Sequence, residues 1–574
     1  MSLVYPHGIE SVKVLDPKLN FYNDKKYVVL KGGSQNTYQR YPANNVSSSS
    51  IQWTVNPPNN MTAINRHVLI RYYVNINFTG TSVSGNLLQL GTNDGFRAFP
   101  ISSNLDTATV QINNGSVVQN ISDYIQALLR YNDNIFIRSE QLSSTPSMLD
   151  QYQNYSDWTT LGSSRNVLAF YGENSIETTR GSFPITVVSN TPTSAQITAV
   201  ITEPLYLSPF LYTNAQEQAL IGVNTMTINF NLNSSLGSNL TTAWSHSTSG
   251  NNLTSATLTF YQAPEVLMNF ITPDEVMNVP AVVEYPYFDI IRYPNPPQTL
   301  SSNATSIFNS SNIQVDGVPE AIYIFARQSN SDKTITSTDT FGYISNLQIT
   351  FNNNSQIFAS ATPQDLYFMS QKNGLTGVSW PAWSQYVGSV IKVNPSVDFP
   401  MGADMASGVG GSYNLLVQAT VQNINQSNSL NMVLYVVIVR EGVLTVNAGQ
   451  TIQSINDLTR SDVLNSPITK DVSYDQALTV ASQGGDFRSS IKSALGKLVN
   501  AIPALGRKVC DHFYPNRGSG MHGDCKCHEH GGVLIGGEGM HRHKKRKHHR
   551  GGGMLSRADL KKNIVDFDNF SESD

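Results

Sequence analysis

A unit of strand, polar turn and short helix occurs twice in this chain, far apart, and that recurrence constrains the fold more than any other feature. The first copy begins Asp94-Gly95-Phe96-Arg97-Ala98-Phe99-Pro100-Ile101. It runs on through Thr107-Ala108-Thr109-Val110-Gln111-Ile112-Asn113-Asn114 to a helical pattern from Ile121 to Leu129, with Asn120 or Ser122 as its expected cap. The second begins Asp339-Thr340-Phe341 and continues Leu347-Gln348-Ile349-Thr350-Phe351-Asn352-Asn353. It closes on a Pro363-led helical pattern ending near Met369. In both copies polar and apolar residues alternate at the period of a half-buried strand. A repeat at this separation points to a duplicated domain.

The rest of the composition agrees with an all-β chain. Its 574 residues suffice for two or three domains, and only 14% are Asp, Glu, Lys or Arg. Aromatic and β-branched residues are plentiful, and turn residues separate short apolar runs, as sandwiches require. Weak surface charge means weak self-repulsion, which suits self-assembly and equally suits an ordinary soluble protein poor in acidic residues. The stretch from Met1 to Glu10 lacks a basic region followed by an apolar run, so no secretory leader is expected. Cys510, Cys525 and Cys527 are the only cysteines, so the body folds without disulfides and synthesis in a reducing cytosol is expected.

Along the chain, strands are expected at Tyr27–Leu30, Ile51–Val55, His67–Phe78, Phe183–Val188, Ala195–Ile201, Gly222–Leu232 and Ala256–Tyr261. A second set covers Ala321–Ala326, Leu347–Phe351, Tyr413–Ile424, Val433–Val439 and Gly442–Val446. Residues 132–180 and 384–412 read as long connections, and the proline-rich stretch 264–297 as a boundary. The expected organisation is a first sandwich with an N-terminal arm over 1–275 and a second over 276–450. A partly ordered connector, 451–485, and a tail, 486–574, follow. Residues 1–485 carry 21 basic against 31 acidic side chains, and residues 486–574 carry 16 against 10: an acidic body and a basic tail. Strand spacing alone fits immunoglobulin-like sandwiches as well as jelly rolls, and the helix following a strand pair in both halves favours jelly rolls.

Several segments together resemble a known family. They are Tyr27 to Gly33, Asn56-Pro57-Pro58, Asp94 to Ile101, Ala127-Leu128-Leu129-Arg130-Tyr131, Thr145-Pro146-Ser147-Met148, Asp150-Gln151-Tyr152, Glu203-Pro204-Leu205, Ser208-Pro209-Phe210 and Trp244-Ser245-His246. In the second half they are Pro319, Tyr323-Ile324-Phe325-Ala326-Arg327, Phe351-Asn352-Asn353, Asp365-Leu366-Tyr367, Gly410, Tyr413, Leu415 and Thr420-Val421-Gln422-Asn423. Taken in order over residues 10–450, they resemble the double jelly-roll major capsid proteins of small double-stranded DNA viruses, of virophage and Polinton type, relatives of adenovirus hexon. The resemblance implies two tandem jelly-roll β-sandwiches and a flexible, basic C-terminal tail. It further implies a pseudo-hexameric homotrimer tiling an icosahedral virion shell, partnered by vertex (penton) and minor capsid proteins, with no enzymatic role. Its place is the virion, after synthesis in the host cytosol, with nuclear import an open possibility.

Candidate sites follow from particular residues. Tyr152, Tyr155 and Trp158 lie in the first long connection, where aromatics suit a subunit interface or pin their own loop. Phe487, Ile491, Leu495, Leu498, Val499 and Ile502 form one helical stripe, suited to the shell's inner side, a membrane surface or its own domain. Cys510, His512, Cys525, Cys527, His528 and His530 offer zinc-binding chemistry. The single residue between Cys525 and Cys527 departs from standard spacing, and an unstructured packaging tail is the alternative. The run 541–550 holds Arg542, Lys544, Lys545, Arg546, Lys547 and Arg550, suited to a phosphate backbone, to a nuclear-import receptor or to plain solvation. Before it, Leu534-Ile535-Gly536-Gly537-Glu538 resembles the site cut by adenovirus-type maturation proteases, with cleavage expected after Gly537.

An enzyme finds no support in the pattern. Of the eleven histidines only His7, His67 and His246 lie in the β body, and no phosphate-binding glycine loop follows a strand. A β-sandwich binding protein would want export. A viral spike or vertex protein would want one sandwich and a separate projecting domain.

Overall fold

The computed structural model describes residues 33–132, 185–210, 219–233, 243–246, 251–274 and 282–466, less Asn60, Ser84, 90–93, Ala98, Asn330, Thr336, 338–339, 376–377, 426–427 and Ala448. The expected Tyr27–Leu30 strand lies outside them. The principal strands of the first half are β1 (Gln35–Pro42), β2 (Ser50–Val55), β3 (Leu69–Ser82), β4 (Leu105–Ile112), β5 (Gly115–Gln119), β6 (Ser194–Pro204), β7 (Met226–Leu232) and β8 (Asn251–Thr272). Those of the second are β9 (Val282–Pro294), β10 (Thr305–Asn309), β11 (Ala321–Gln328), β12 (Tyr343–Phe351), β13 (Asn354–Ile357), β14 (Val390–Val393), β15 (Gly410–Gln422) and β16 (Leu430–Asn447).

The first half pairs as β1-β8-β3-β6 and β2-β7-β4-β5, the second as β9-β16-β11-β14 and β10-β15-β12-β13. The two orders are the same when corresponding strands are matched. In each half the first strand pairs with the last, Gln35 opposite Thr272 and Val282 opposite Asn447, and every ladder between these strands is antiparallel. That order rolls one long hairpin into two facing sheets, which is the jelly-roll arrangement. The fold is therefore all-β, two tandem jelly rolls.

Alternation fills the space between the sheets. In β3 the side chains of Ile70, Tyr72, Val74, Ile76 and Phe78 are buried and their neighbours are not. Facing them, β2 supplies Ile51, Trp53 and Val55. The Trp53 indole N–H donates to the Pro264 carbonyl at 2.9 Å, and its ring meets Phe230 edge to face.

The repeated unit is present in both halves, with an eight-residue helix and a ten-residue one: α1 (Ile125–Asn132) after β5 and α2 (Pro363–Lys372) after β13. The hairpins before them turn through Asn113 and Asn352, whose φ values are +51° and +53°. Asn tolerates this left-handed backbone better than other non-glycine residues do. Thr362 and Asp365 cap α2 reciprocally, with Pro363 at its first turn. The cap expected for the first helix does not form. A 3-10 turn (Ile121–Asp123) precedes α1, and the Asn120 side chain accepts no N–H of that turn; its amide donates to the Asp106 carbonyl.

The proline-rich stretch 264–297, read as a boundary, spans the end of β8 in the first half and all of β9 in the second, and Pro286 and Pro294 sit on β9 where it forms the rim of its sheet. One reading needs correction. Residues 384–412 are not a structureless connection, because β14 lies within them. With four residues, Val390-Ile391-Lys392-Val393 is too short to show a period.

The two hairpin asparagines separate a purely conformational role from a bonding one. Asn352 is exposed, whereas the Asn113 side chain accepts from the Asn224 N–H at 2.8 Å and donates to the Gly222 carbonyl and the Thr451 hydroxyl. Asn352→Gly should shift stability by only a few tenths of a kcal/mol, and Asn113→Gly should cost about 1–3 kcal/mol. Urea denaturation of the two variants side by side checks the contrast.

Candidate functional site: the seam between the sandwiches

Buried polar and charged side chains gather along the seam joining the first sandwich to the second. Burial along the strands reveals it. In β11, Ala321 to Arg327 are buried without alternation, as are Met432 to Val439 in β16 and all of β14. A strand buried on both faces has cover on both. One cover is the facing sheet of its own sandwich, and the other includes elements of the first sandwich.

Helix α1 supplies the central contacts. Its apolar residues Ala127 and Leu128 are buried, and its last turn carries Arg130 and Tyr131 into the seam, 1% and 0% exposed. Arg130 donates to the carbonyls of Val387 and Gly388 at 3.0 and 2.8 Å, and its guanidinium lies 4.4 Å from the Phe341 ring centre. Buried hydrogen bonds from a charged group each contribute about 1.5–3 kcal/mol. Gly388 has φ +76°, and a Cβ there would fall 1.9 Å from the Phe341 carbonyl oxygen, so glycine is required where Arg130 docks.

Tyr131 caps a strand edge. Its hydroxyl donates to the Val390 carbonyl at 2.5 Å and accepts from the Lys392 N–H at 3.1 Å. These backbone groups lie on β14, the last strand of its sheet, whose edge would otherwise offer unpaired partners. The Tyr131 ring meets Tyr323 edge to face at 5.4 Å, and the Lys392 amine lies 5.9 and 5.6 Å from the two ring centres. Burial pushes the Lys392 amine down to about 8, against the opposing pull of Glu320 and Asp398.

Further contacts extend the seam. Gln119 donates to the Phe288 carbonyl at 3.1 Å, and the Tyr285 hydroxyl bridges Ala219 and Ile221. Asn114 accepts from the Thr451 N–H at 2.7 Å, on a strand (Gln450–Ile455) that folds back along β16. Arg292 pairs with Asp123 at 2.7 Å beside a polar cleft of about 420 Å³ lined also by Asn104, Asp106 and Asn120.

A buried clasp lies at the same boundary. His246 Nδ1 is 2.8 Å from an Asp94 carboxylate oxygen, and Nε2 is 3.1 Å from the Asn251 carbonyl. Both ring nitrogens face acceptors, which suits the doubly protonated ring paired with Asp94. The pair is shut from solvent, and Arg97 beside it donates to carbonyls of Trp244 and, across the boundary, Thr334. The contact is buried structure, tying the strand at Asp94 to the strand at His246.

The site residues singled out from sequence all fall outside what the structure describes. Tyr152, Tyr155 and Trp158 lie outside the described residues. So do Cys510, His512, Cys525, Cys527, His528 and His530, the glycine site at Gly536, Gly537 and Glu538, and the basic run from Arg542 to Arg550. Among the described residues no cluster of His, Cys, Asp or Glu is placed to hold a metal. Sequence reasoning missed Arg130 and Tyr131 as seam residues. Their only signal was two bulky polar side chains on the apolar stripe of a short helix.

Comparisons with known proteins agree with this architecture. A family model described as the first domain of the Sputnik virophage major capsid protein matches residues 8–271, and one for the C-terminal domain of major capsid protein V20 matches residues 292–387. The putative capsid protein V20 of Sputnik virophage is 34% identical over 594 residues, covering 93% of this chain and 98% of that protein. The 3.5 Å cryo-EM structure of the Sputnik virophage matches with a TM-score of 0.75 and 34% identity, over 82% of this chain and 97% of the other. The crystal structure of the mavirus major capsid protein shares the fold, with a TM-score of 0.65 at 16% identity over 81% of this chain and 99% of that one. Two jelly rolls of one strand order and this degree of identity place the chain in the family of Sputnik-type double jelly-roll major capsid proteins of double-stranded DNA viruses.

Proposed function

We propose that the chain works as a homotrimer whose paired sandwiches give a six-cornered tile, and that such tiles cover the facets of an icosahedral shell. The observation that carries this is the seam: two sandwiches of one strand order, fixed side by side by buried hydrogen bonds, make one rigid unit of two similar corners. Closed symmetric association turns such units into rings. Vertex and minor capsid proteins would complete the shell. A spike or vertex role fits less well, because it would want one sandwich and a different projecting domain. Purified chain should run as trimers by light scattering and show pseudo-hexagonal outlines or shells in negative stain. A uniform monomer at all concentrations would count against the proposal.

The tail's role in this reading rests on sequence. The basic run from Arg542 to Arg550 would contact the packaged genome from the inner face, or serve nuclear import before assembly. Cleavage by a maturation protease after Gly537 would separate that run from the shell. Mass spectrometry of protein from mature particles should show chains ending at Gly537, and an intact C-terminus would remove cleavage from the account.

A rigid tile depends on its seam, and Lys392 reports on that seam through pH. Its folded pKa, about 8, is below the unfolded value of 10.5. Between these values the unfolded chain binds more protons, so this group makes stability rise as pH rises through the window. Below about pH 8 the cost of burying the charge is fully present. Lys392→Met should flatten that rise and stabilise the protein at neutral pH by up to about 3 kcal/mol. Melting curves at about pH 7 and 9.5 for both proteins check the sign.

A further inference from the structure

The elements that meet at the Arg292–Asp123 pair enclose the polar cleft between the sandwiches. Its volume of about 420 Å³ falls within the range of small-molecule sites, and domain boundaries are common places for them. The first sandwich lines it with Asp106 at the start of β4 and with Asn120 and Asp123 around the 3-10 turn. The second lines it with Arg292 of β9, Asn295 just beyond that strand, and Tyr435 of β16. Pro294, Pro297 and Val433 form apolar wall between them.

Polar groups in this cleft are held in place without being satisfied. Tyr435 is 4% exposed, its ring stacked on Phe325 at 5.3 Å, with the Arg327 guanidinium 5.9 Å from the ring centre. Among the described residues its hydroxyl has no hydrogen-bond partner. Native structures rarely leave a buried polar group unpaired, so this hydroxyl, on a cleft wall, points to a ligand that completes it. Burial raises its pKa above the ordinary phenol value, so the hydroxyl keeps its proton and serves as a donor. Arg292 Nε is likewise buried and has no partner among the described residues. Asn120 and Asn295 donate their side-chain amides to the carbonyls of Asp106 and Asn309, which turns their side-chain oxygens to use as acceptors.

This mixture selects a ligand. Two carboxylates against one guanidinium disfavour an anion. A metal ion is disfavoured because Arg292 already pairs with Asp123, and among the described residues no cluster of His, Cys, Asp or Glu is placed to hold one. An apolar molecule would bury the Tyr435 hydroxyl and Arg292 Nε with nothing to bond. A sugar meets all three conditions. Each of its hydroxyls both donates and accepts, it carries no charge, and the C–H faces of its ring suit walls of proline and valine.

We infer that this cleft binds a neutral carbohydrate, with Tyr435 and Arg292 donating to sugar oxygens and Asp106, Asn120 and Asn295 accepting from sugar hydroxyls. A single chain carries every one of these groups, so binding does not depend on the trimer.

Saturation-transfer NMR on the full chain tests the site, with the methyl glycosides of glucose, galactose, mannose and N-acetylglucosamine as probes. At least one should bind in the millimolar range, as expected of so small a ligand. Tyr435→Phe keeps the ring stack and removes one oxygen, so it should keep the melting temperature and weaken binding about 3–10-fold. Asp106→Asn changes an exposed residue and should weaken binding about tenfold without loss of stability. If one variant melts early, the other decides. Binding of none of these glycosides, or binding that the variants leave unchanged, would overturn the site. Inorganic phosphate or calcium that binds where no glycoside does, and is lost in Asp106→Asn, would overturn the sugar and leave an ion site.

Discussion

The second sandwich contains a sheet that cannot be exposed. The central strands β11 and β16 place apolar side chains on both faces, so the sheet needs cover beyond its own partner sheet. Helix α1 and the hairpin at Asn113 of the first sandwich help to provide it. That requirement makes the duplicated halves dependent. The first has a sheet of alternating burial and one partly open face, and the second has a sheet buried through its middle. The seam is a piece of hydrophobic core that lies between domains.

Polar groups specify the alignment of that core. Apolar packing alone would tolerate sliding of α1 over the sheet, whereas Arg130 and Tyr131 each meet two backbone groups at defined positions. Sliding would leave buried donors unsatisfied at a cost of about 1–3 kcal/mol each. Lys392 and the Asp94–His246 pair add charge in the same region, held by ring faces and by an opposite charge. For a shell subunit, where a small angular error grows across many copies, defined register matters more than additional affinity.

Much of the architecture was legible in the sequence, through features that depend on local physics. Alternation gave β3 and β12, and the hairpin asparagines and following helices marked the two copies. Pro363 signalled the start of α2. What escaped depends on distant partners. The four residues of β14 show no period, and the prolines of β9 hid a strand because sequence does not show that it lies at a sheet rim. Asn120 had the chemistry of a cap, but its side chain is turned to the Asp106 carbonyl and its oxygen accepts no N–H of the turn that follows. Arg130 and Tyr131 entered only as part of a family-like segment, and their role in the seam depends on the second sandwich placed against them. Family resemblance supplied the double jelly roll, whereas the seam that joins its halves depends on partners far apart in the chain and has no local signature.

Pairing the first strand of each sandwich with its last has a consequence for how the molecule is made. Gln35 waits for Thr272, and Val282 waits for Asn447. A ribosome completes the first sandwich well before the second, and such long-range pairing is slow to form. The doubly apolar sheet then emerges onto a neighbour already folded, with α1 in place to receive it. Order of synthesis thus shelters the most aggregation-prone surface of the chain, and a permuted gene that delivered the second sandwich first would lose that shelter.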